Sequence, residues 1–174
     1  KGIEEIIIAS NKLKQKFPEW EFLIAGAVDY KKQSILNMNR IEILNKQKAV
    51  KFLGYVKNMI KIYQQTAIVC LPSYREGFSR VLQEAAAVGL PIVTTNVIGC
   101  KDSIIPNKTG LIAKVKDYKS LRDKLKLLIL DKKKRLKFGK NGRKLAEKEF
   151  DLKNVLKENL DIYNYLIKNI KDGK

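Results

Sequence analysis

Short apolar runs alternate with stretches in which apolar residues recur every three or four positions. Ile3, Ile6, Ile7 and Leu13 predict a helix over 2–16, ended by Pro18. The run 21–25 predicts a strand stopped by Gly26, and 49–53 a second closed by Gly54. Between them, the polar stretch 30–45 reads as a helix, and 56–65 as a short one after the second strand. Ala67-Ile68-Val69-Cys70-Leu71 predicts a third strand, apolar enough for burial on both faces. A loop over 72–78 leads into a helix over 79–88 that ends at Gly89. Strands follow over 91–95 and 110–113.

From Asp117, a predicted N-cap, the pattern is wholly helical, with Leu121, Leu125, Leu128 and Ile129 on one face. Gly139 and Gly142 predict an interruption or bend in the next helix. A final helix is expected from Asp151, carrying Val155, Leu156, Leu160, Ile162, Tyr163 and Leu166.

Strands alternating with helices predict an α/β fold: a Rossmann-like, doubly wound parallel sheet with helices on both faces and extra C-terminal helices. Ligands in such sheets bind beyond the carboxyl ends of the strands, so the loops after Ala25, Leu53, Leu71 and Thr95 are the candidates. A doubly wound unit ordinarily begins with a strand, whereas this pattern begins with a helix. The expectation is one domain over 1–174 that lacks its first strand and a preceding domain.

Composition narrows the chemistry. The sequence has no histidine, and Cys70 and Cys100 make no metal-ligand spacing. No metal or other cofactor is expected, and catalysis falls to carboxylates, backbone amides or groups on another domain. No apolar run approaches the roughly 20 residues of a membrane span, and no secretory signal is seen. The formal net charge of +18 fits a solvated lysine surface; its first functional reading is attraction to an anionic membrane. Nucleic-acid binding rests on charge alone, without a zinc finger, an aromatic RNA-binding strand or a basic arm.

The loop after the third strand reads Pro72-Ser73-Tyr74-Arg75-Glu76-Gly77-Phe78-Ser79-Arg80-Val81-Leu82-Gln83-Glu84. Gly77 lets the backbone approach a ligand, and the helix starting near Ser79 offers unpaired N–H groups and the positive end of its dipole to phosphate. Arg75 and Arg80 add cationic donors. Two carboxylates facing a phosphate would repel it. Glu76 and Glu84 make sense gripping hydroxyls on either side, which is the layout of a nucleotide sugar: ribose, diphosphate, sugar.

Glu76 and Glu84, separated by seven residues, resemble the donor-site signature of retaining glycosyltransferases of the GT-B fold. Phe52-Leu53-Gly54, Leu71-Pro72-Ser73, Glu76-Gly77-Phe78, Leu82-Gln83-Glu84-Ala85, Gly89-Leu90-Pro91-Ile92-Val93 and Thr109-Gly110-Leu111 extend the resemblance to nearly the whole carboxy-terminal domain of that family. The resemblance implies that Glu76, the catalytic candidate, contacts donor-sugar hydroxyls, orienting the sugar rather than attacking it. It further implies that Gly77, Phe78 and Ser79 with the helix start, including Arg80, hold diphosphate and sugar, and that Glu84 binds ribose. Lys1-Gly2 resembles the end of the family's phosphate-binding Arg…Lys-Gly segment, which makes Lys1 a diphosphate ligand; the preceding arginine has no counterpart here. The backbone around Lys51 would face the base. The segment 92–102 resembles enzymes that extend polyprenyl-diphosphate-linked or capsular glycans, often with N-acetylated sugars.

These likenesses imply a UDP-sugar donor, a lipid-linked or polysaccharide acceptor, an N-terminal acceptor domain as partner, and a cytoplasmic site at the inner face of the membrane. They also imply a fragment inactive by itself. A nucleotide-sugar epimerase, a glycogen- or sucrose-type transferase and a basic nucleic-acid-binding module stand as alternatives.

Overall fold

The computed structural model describes residues 1–26, 38–46 and 48–171. In chain order its elements are α1 (Ile3–Lys14), β1 (Phe22–Ala25), α2 (Met38–Leu44), β2 (Val50–Gly54), α3 (Met59–Gln64), β3 (Val69–Leu71), α4 (Arg80–Val88), β4 (Ile92–Thr95), a 3-10 turn (Lys101–Ser103), β5 (Gly110–Ala113), α5 (Tyr118–Leu130), α6 (Lys132–Glu149) and α7 (Leu152–Lys171). The helix expected over 30–45 falls partly outside the described residues; its last part is α2.

Among the described residues all strand pairings are parallel. β1 pairs with β2, and β4 lies between β3 and β5. Hydrogen bonding thus divides the strands into two sheets. A single helix serves both: Ile7 of α1 packs with Val50 of β2, while Ala9 and Leu13 pack with Val93 and Leu111.

β4 is buried along its whole length, and its alternation sorts the core. Val93 faces a cluster with Leu121, Leu125 and Leu128 of α5. Ile92, one residue earlier, faces Tyr63 of α3 and Leu82, Ala85 and Ala86 of α4. Successive strand residues point to opposite faces, so helices cover both sides of the sheet, as the sequence predicts. Leu121 and Leu128 are 1% and 0% exposed, and each such burial is worth roughly 1.5–3 kcal/mol.

The Asp117 carboxylate accepts a hydrogen bond from the Ser120 amide at 2.9 Å, capping α5 as expected. Gly139 and Gly142, by contrast, do not break their helix; α6 runs through both. Their role is close approach to α4. A Cβ on Gly139 would lie 2.0 Å from the Gly89 carbonyl oxygen, and one on Gly142 would meet Ala86 at 3.6 Å. The lost helix propensity, about 1 kcal/mol per glycine, is offset by packing that a local pattern does not display.

α7 is a separate case. Leu152, Val155, Leu156, Leu160, Ile162, Tyr163, Leu166, Ile167 and Ile170 are all exposed, and helical spacing places them on one side of a 20-residue helix. Among the described residues nothing covers that side.

Candidate functional site

The carboxyl ends of β3 and β4 lie side by side, and two threonines of β4 hold the loop that leaves β3. The Thr94 hydroxyl donates to the Leu71 carbonyl at 2.8 Å, and the buried Thr95 hydroxyl donates to the Ser73 carbonyl. Ser73 is itself fully buried, and its hydroxyl donates to Glu76 Oε1 at 2.9 Å. Lys1 Nζ sits 3.0 Å from the same oxygen. Residues far apart in sequence therefore converge on one carboxylate.

Two backbone contacts enforce this. Gly2 has φ 62°, and a Cβ there would lie 2.1 Å from the Pro72 carbonyl oxygen. Gly99, at φ 79°, rests directly on the loop: a Cβ would fall 1.2 Å from the Gly77 carbonyl oxygen and 2.9 Å from that of Glu76. The Gly99 turn is fastened in its own right, since its amide donates to Asp102 Oδ2 at 3.2 Å and its carbonyl accepts from the Ser103 hydroxyl at 2.5 Å.

The Glu76 side chain is 16% exposed. Burial by itself pushes its carboxyl up, but the hydrogen bonds from Lys1 and Ser73 and the Lys1 charge outweigh it and hold the pKa below the ordinary carboxylate range. Glu76 is therefore a carboxylate at neutral pH. Cys100 is completely buried, and burial pushes its thiol up. Desolvation also raises the Cys70 thiol, to about 12. Neither supplies a thiolate nucleophile.

Ser79 caps α4 but makes no side-chain capping bond, so the side chain leaves the first helical amides free to donate toward a ligand. Arg80 is the first helical residue and is exposed. Phe78 is half-exposed, its ring meeting Phe150 edge to face at 5.5 Å. Glu84 stands in the second turn of α4, exposed, with one carboxylate oxygen accepting from Tyr63 Oη at 3.0 Å. It separates two grooves. One, ≈ 290 Å³, is lined by Gln83, Arg143, Glu147, Phe150 and Asp151; the other, ≈ 810 Å³, by Lys57, Asn58, Ile60 and Tyr63.

The structure thus gathers Lys1 and Glu76 at one point and sets Gly77, Phe78, Ser79, Arg80 and Glu84 along the adjoining loop and helix. Lys51 is not at this edge. It is the second residue of β2, registers with Leu23, and lies toward the amino end of a strand whose carboxyl end is Gly54. The residues that sequence reasoning passes over are Thr94, Thr95, Gly99 and Tyr63. Their partners are remote in sequence, and only the adjacency of the strand ends hints at them.

A parallel α/β fold with helices on both faces of the sheet is that of the GT-B glycosyltransferase structures that this chain matches. The profile of the family described as "Glycosyl transferases group 1" matches residues 1–145, and the chain belongs to that family. It is 34% identical over 170 residues to the N,N'-diacetylbacillosaminyl-diphospho-undecaprenol alpha-1,3-N-acetylgalactosaminyltransferase of Campylobacter jejuni, covering 98% of this chain and 43% of that one. It is 30% identical over 174 residues to the capsular polysaccharide biosynthesis glycosyltransferase CapM of Staphylococcus aureus, covering 100% of this chain and 45% of the relative. The chain therefore spans less than half the length of these curated relatives. Among solved structures it matches the C-terminal domain of the group 1 protein LpcC from Francisella tularensis with a TM-score of 0.77 and 27% identity, over 87% of this chain and 80% of that one. No described helix is long and apolar enough to cross a membrane.

Proposed function

We propose that this chain is the donor-binding half of a retaining glycosyltransferase that uses a UDP-sugar, an N-acetylhexosamine among the candidates, and delivers the sugar to a lipid-linked or polysaccharide acceptor. The observation that carries the reading is the convergence of Lys1, Ser73 and Glu76 beside the start of α4, under Gly99. The names of the Campylobacter and Staphylococcus relatives support the class of acceptor.

In this reading Glu76 grips hydroxyls of the donor sugar, and Gly77, Phe78, Ser79 and Arg80 flank the diphosphate. Glu84 takes the ribose. As the anomeric bond breaks, negative charge gathers on the departing nucleoside diphosphate. Donors fixed at the helix start meet that charge without reorganising. Lys1, 66% exposed although paired with Glu76, reaches the diphosphate by a swing of its flexible stem. A carboxylate already held by Ser73 and Lys1 positions the sugar at little further entropic cost.

The acceptor would sit on an N-terminal domain of the same protein, leaving this chain alone inactive. The bare apolar side of α7 supports such a partner, because a continuous exposed apolar surface marks an interaction site. The +18 charge supports peripheral attachment at the inner, cytoplasmic face of an anionic membrane.

Titration calorimetry with UDP, UDP-N-acetylhexosamines, GDP and ADP tests the reading. UDP is expected to bind in the range of ~0.1–1 mM, about −4 to −5.5 kcal/mol, and Glu84→Ala to bind at least tenfold more weakly. Failure of every nucleotide to bind, or a Glu84→Ala variant as tight as the parent, refutes it.

A further inference from the structure

Glu84 needs an orientation before it can take a ribose diol, and helix geometry alone does not give it one. Its side chain is exposed and has three rotatable bonds. Among the described residues it has no ion pair, and its hydrogen-bond partner is the Tyr63 hydroxyl at 3.0 Å. Tyr63 is held firmly: it is 5% exposed and packs with Leu82, Ala85 and Ala86 beneath the same helix. Both residues line the ≈ 810 Å³ groove between α3 and α4.

We infer that Tyr63 is a positioning residue, whose buried hydroxyl pins one oxygen of the Glu84 carboxylate so that the other faces the ribose hydroxyls of the donor; this rests on the proposed function above. The choice of a phenol has a physical basis. A lysine or arginine in its place would neutralise Glu84 and occupy it with a competing charge-assisted bond. A neutral donor fixes the carboxylate plane and leaves its full charge for the ligand. Burial first, then the hydrogen bond to Glu84, raises the Tyr63 pKa far above the ordinary value, so the hydroxyl keeps its proton and remains a donor.

The test compares UDP with 2′,3′-dideoxyuridine diphosphate by calorimetry, using the 174-residue parent and its Tyr63→Phe and Glu84→Gln variants. The parent is expected to prefer UDP by at least tenfold, in line with a hydrogen bond to a charged group. Tyr63→Phe is expected to weaken UDP binding by about fivefold to twentyfold, to leave the dideoxy compound unchanged, and to add nothing in a Glu84→Gln background.

Equal loss for both ligands assigns Tyr63 a merely structural role and overturns the inference, as does an undiminished preference for UDP. In either of those cases the donor reading survives. A parent that binds no nucleotide fails the donor reading itself, and this one with it. A second measurement needs no variant. In parent protein carrying a ¹³C label at the tyrosine Cζ, the Tyr63 resonance is expected to shift with UDP and not with the dideoxy compound; no shift with UDP overturns the proposal.

Discussion

Replacing Gly99 by alanine is the sharpest probe of how the donor loop is built. The new Cβ would fall 1.2 Å from the Gly77 carbonyl oxygen, 2.4 Å from its carbon and 2.9 Å from the Glu76 carbonyl oxygen. These are backbone atoms, so no side chain can rotate out of the way, and the loop must retreat by roughly 2 Å to reach ordinary contact. The residue would also occupy φ 79°, which costs a non-glycine residue roughly 1–2 kcal/mol. Overpacking adds about 1–3 kcal/mol, for an expected destabilisation of about 2–5 kcal/mol.

Retreat of residues 76–77 draws Glu76 away from Ser73 and Lys1, so affinity for UDP-sugar should fall at least tenfold as well. Urea unfolding and calorimetry measure the two effects on one preparation. Two neighbouring cases separate the causes. Gly54 has φ 63° with open space around its would-be Cβ, so Gly54→Ala carries the backbone cost alone, about 1–2 kcal/mol. Gly77 has neither obstacle, so Gly77→Ala should stay within about 0.5 kcal/mol of the parent. If Gly99→Ala unfolds at the parental urea midpoint and binds donor equally well, the contact does not position the loop.

Other outcomes follow from the same site. Glu76→Gln should change stability at pH 7 by less than about 1 kcal/mol, since Lys1 is largely exposed, yet should weaken sugar-donor binding more than UDP binding by calorimetry. Because the Glu76 pKa is lowered on folding, its contribution is present above the unfolded carboxylate range near ~4.3 and disappears as pH falls through the lower folded value. Urea midpoints of parent and Glu76→Gln should therefore converge on acidification. Both cysteines should resist a disulfide-exchange reagent in the native protein and react fully in urea, given their raised pKa values, the half-burial of Cys70 and the full burial of Cys100; prompt labelling of the native protein would contradict this.

Much of this molecule is legible in its sequence, for reasons that differ by element. β3 and β4 announce themselves as apolar runs ended by turn residues, and α4 by alanines before Gly89, because local composition there agrees with tertiary demand. Glu76 and Glu84 stand out through their neighbours. The glycines of α6 mislead because their purpose is the face of another helix, and a one-dimensional reading sees only a weak helix former. Division of the strands into two sheets depends on pairing between segments, which hydrophobic patterning does not encode. Tyr63 and Gly99 escape for the same reason: each acts on an atom more than twenty residues away.

The edge-to-face contact of Phe78 and Phe150 joins two distant parts of the chain. Phe150 caps the carboxyl end of α6, just before α7 begins at Leu152, and Phe78 belongs to the loop that flanks the proposed diphosphate. The junction that leads into α7 is thus tied to that loop by one ring contact. Replacing Phe150 by alanine would strip the Phe78 ring of its edge-to-face partner without altering any residue of the loop itself, so the loop's packing depends in part on a residue more than seventy positions away.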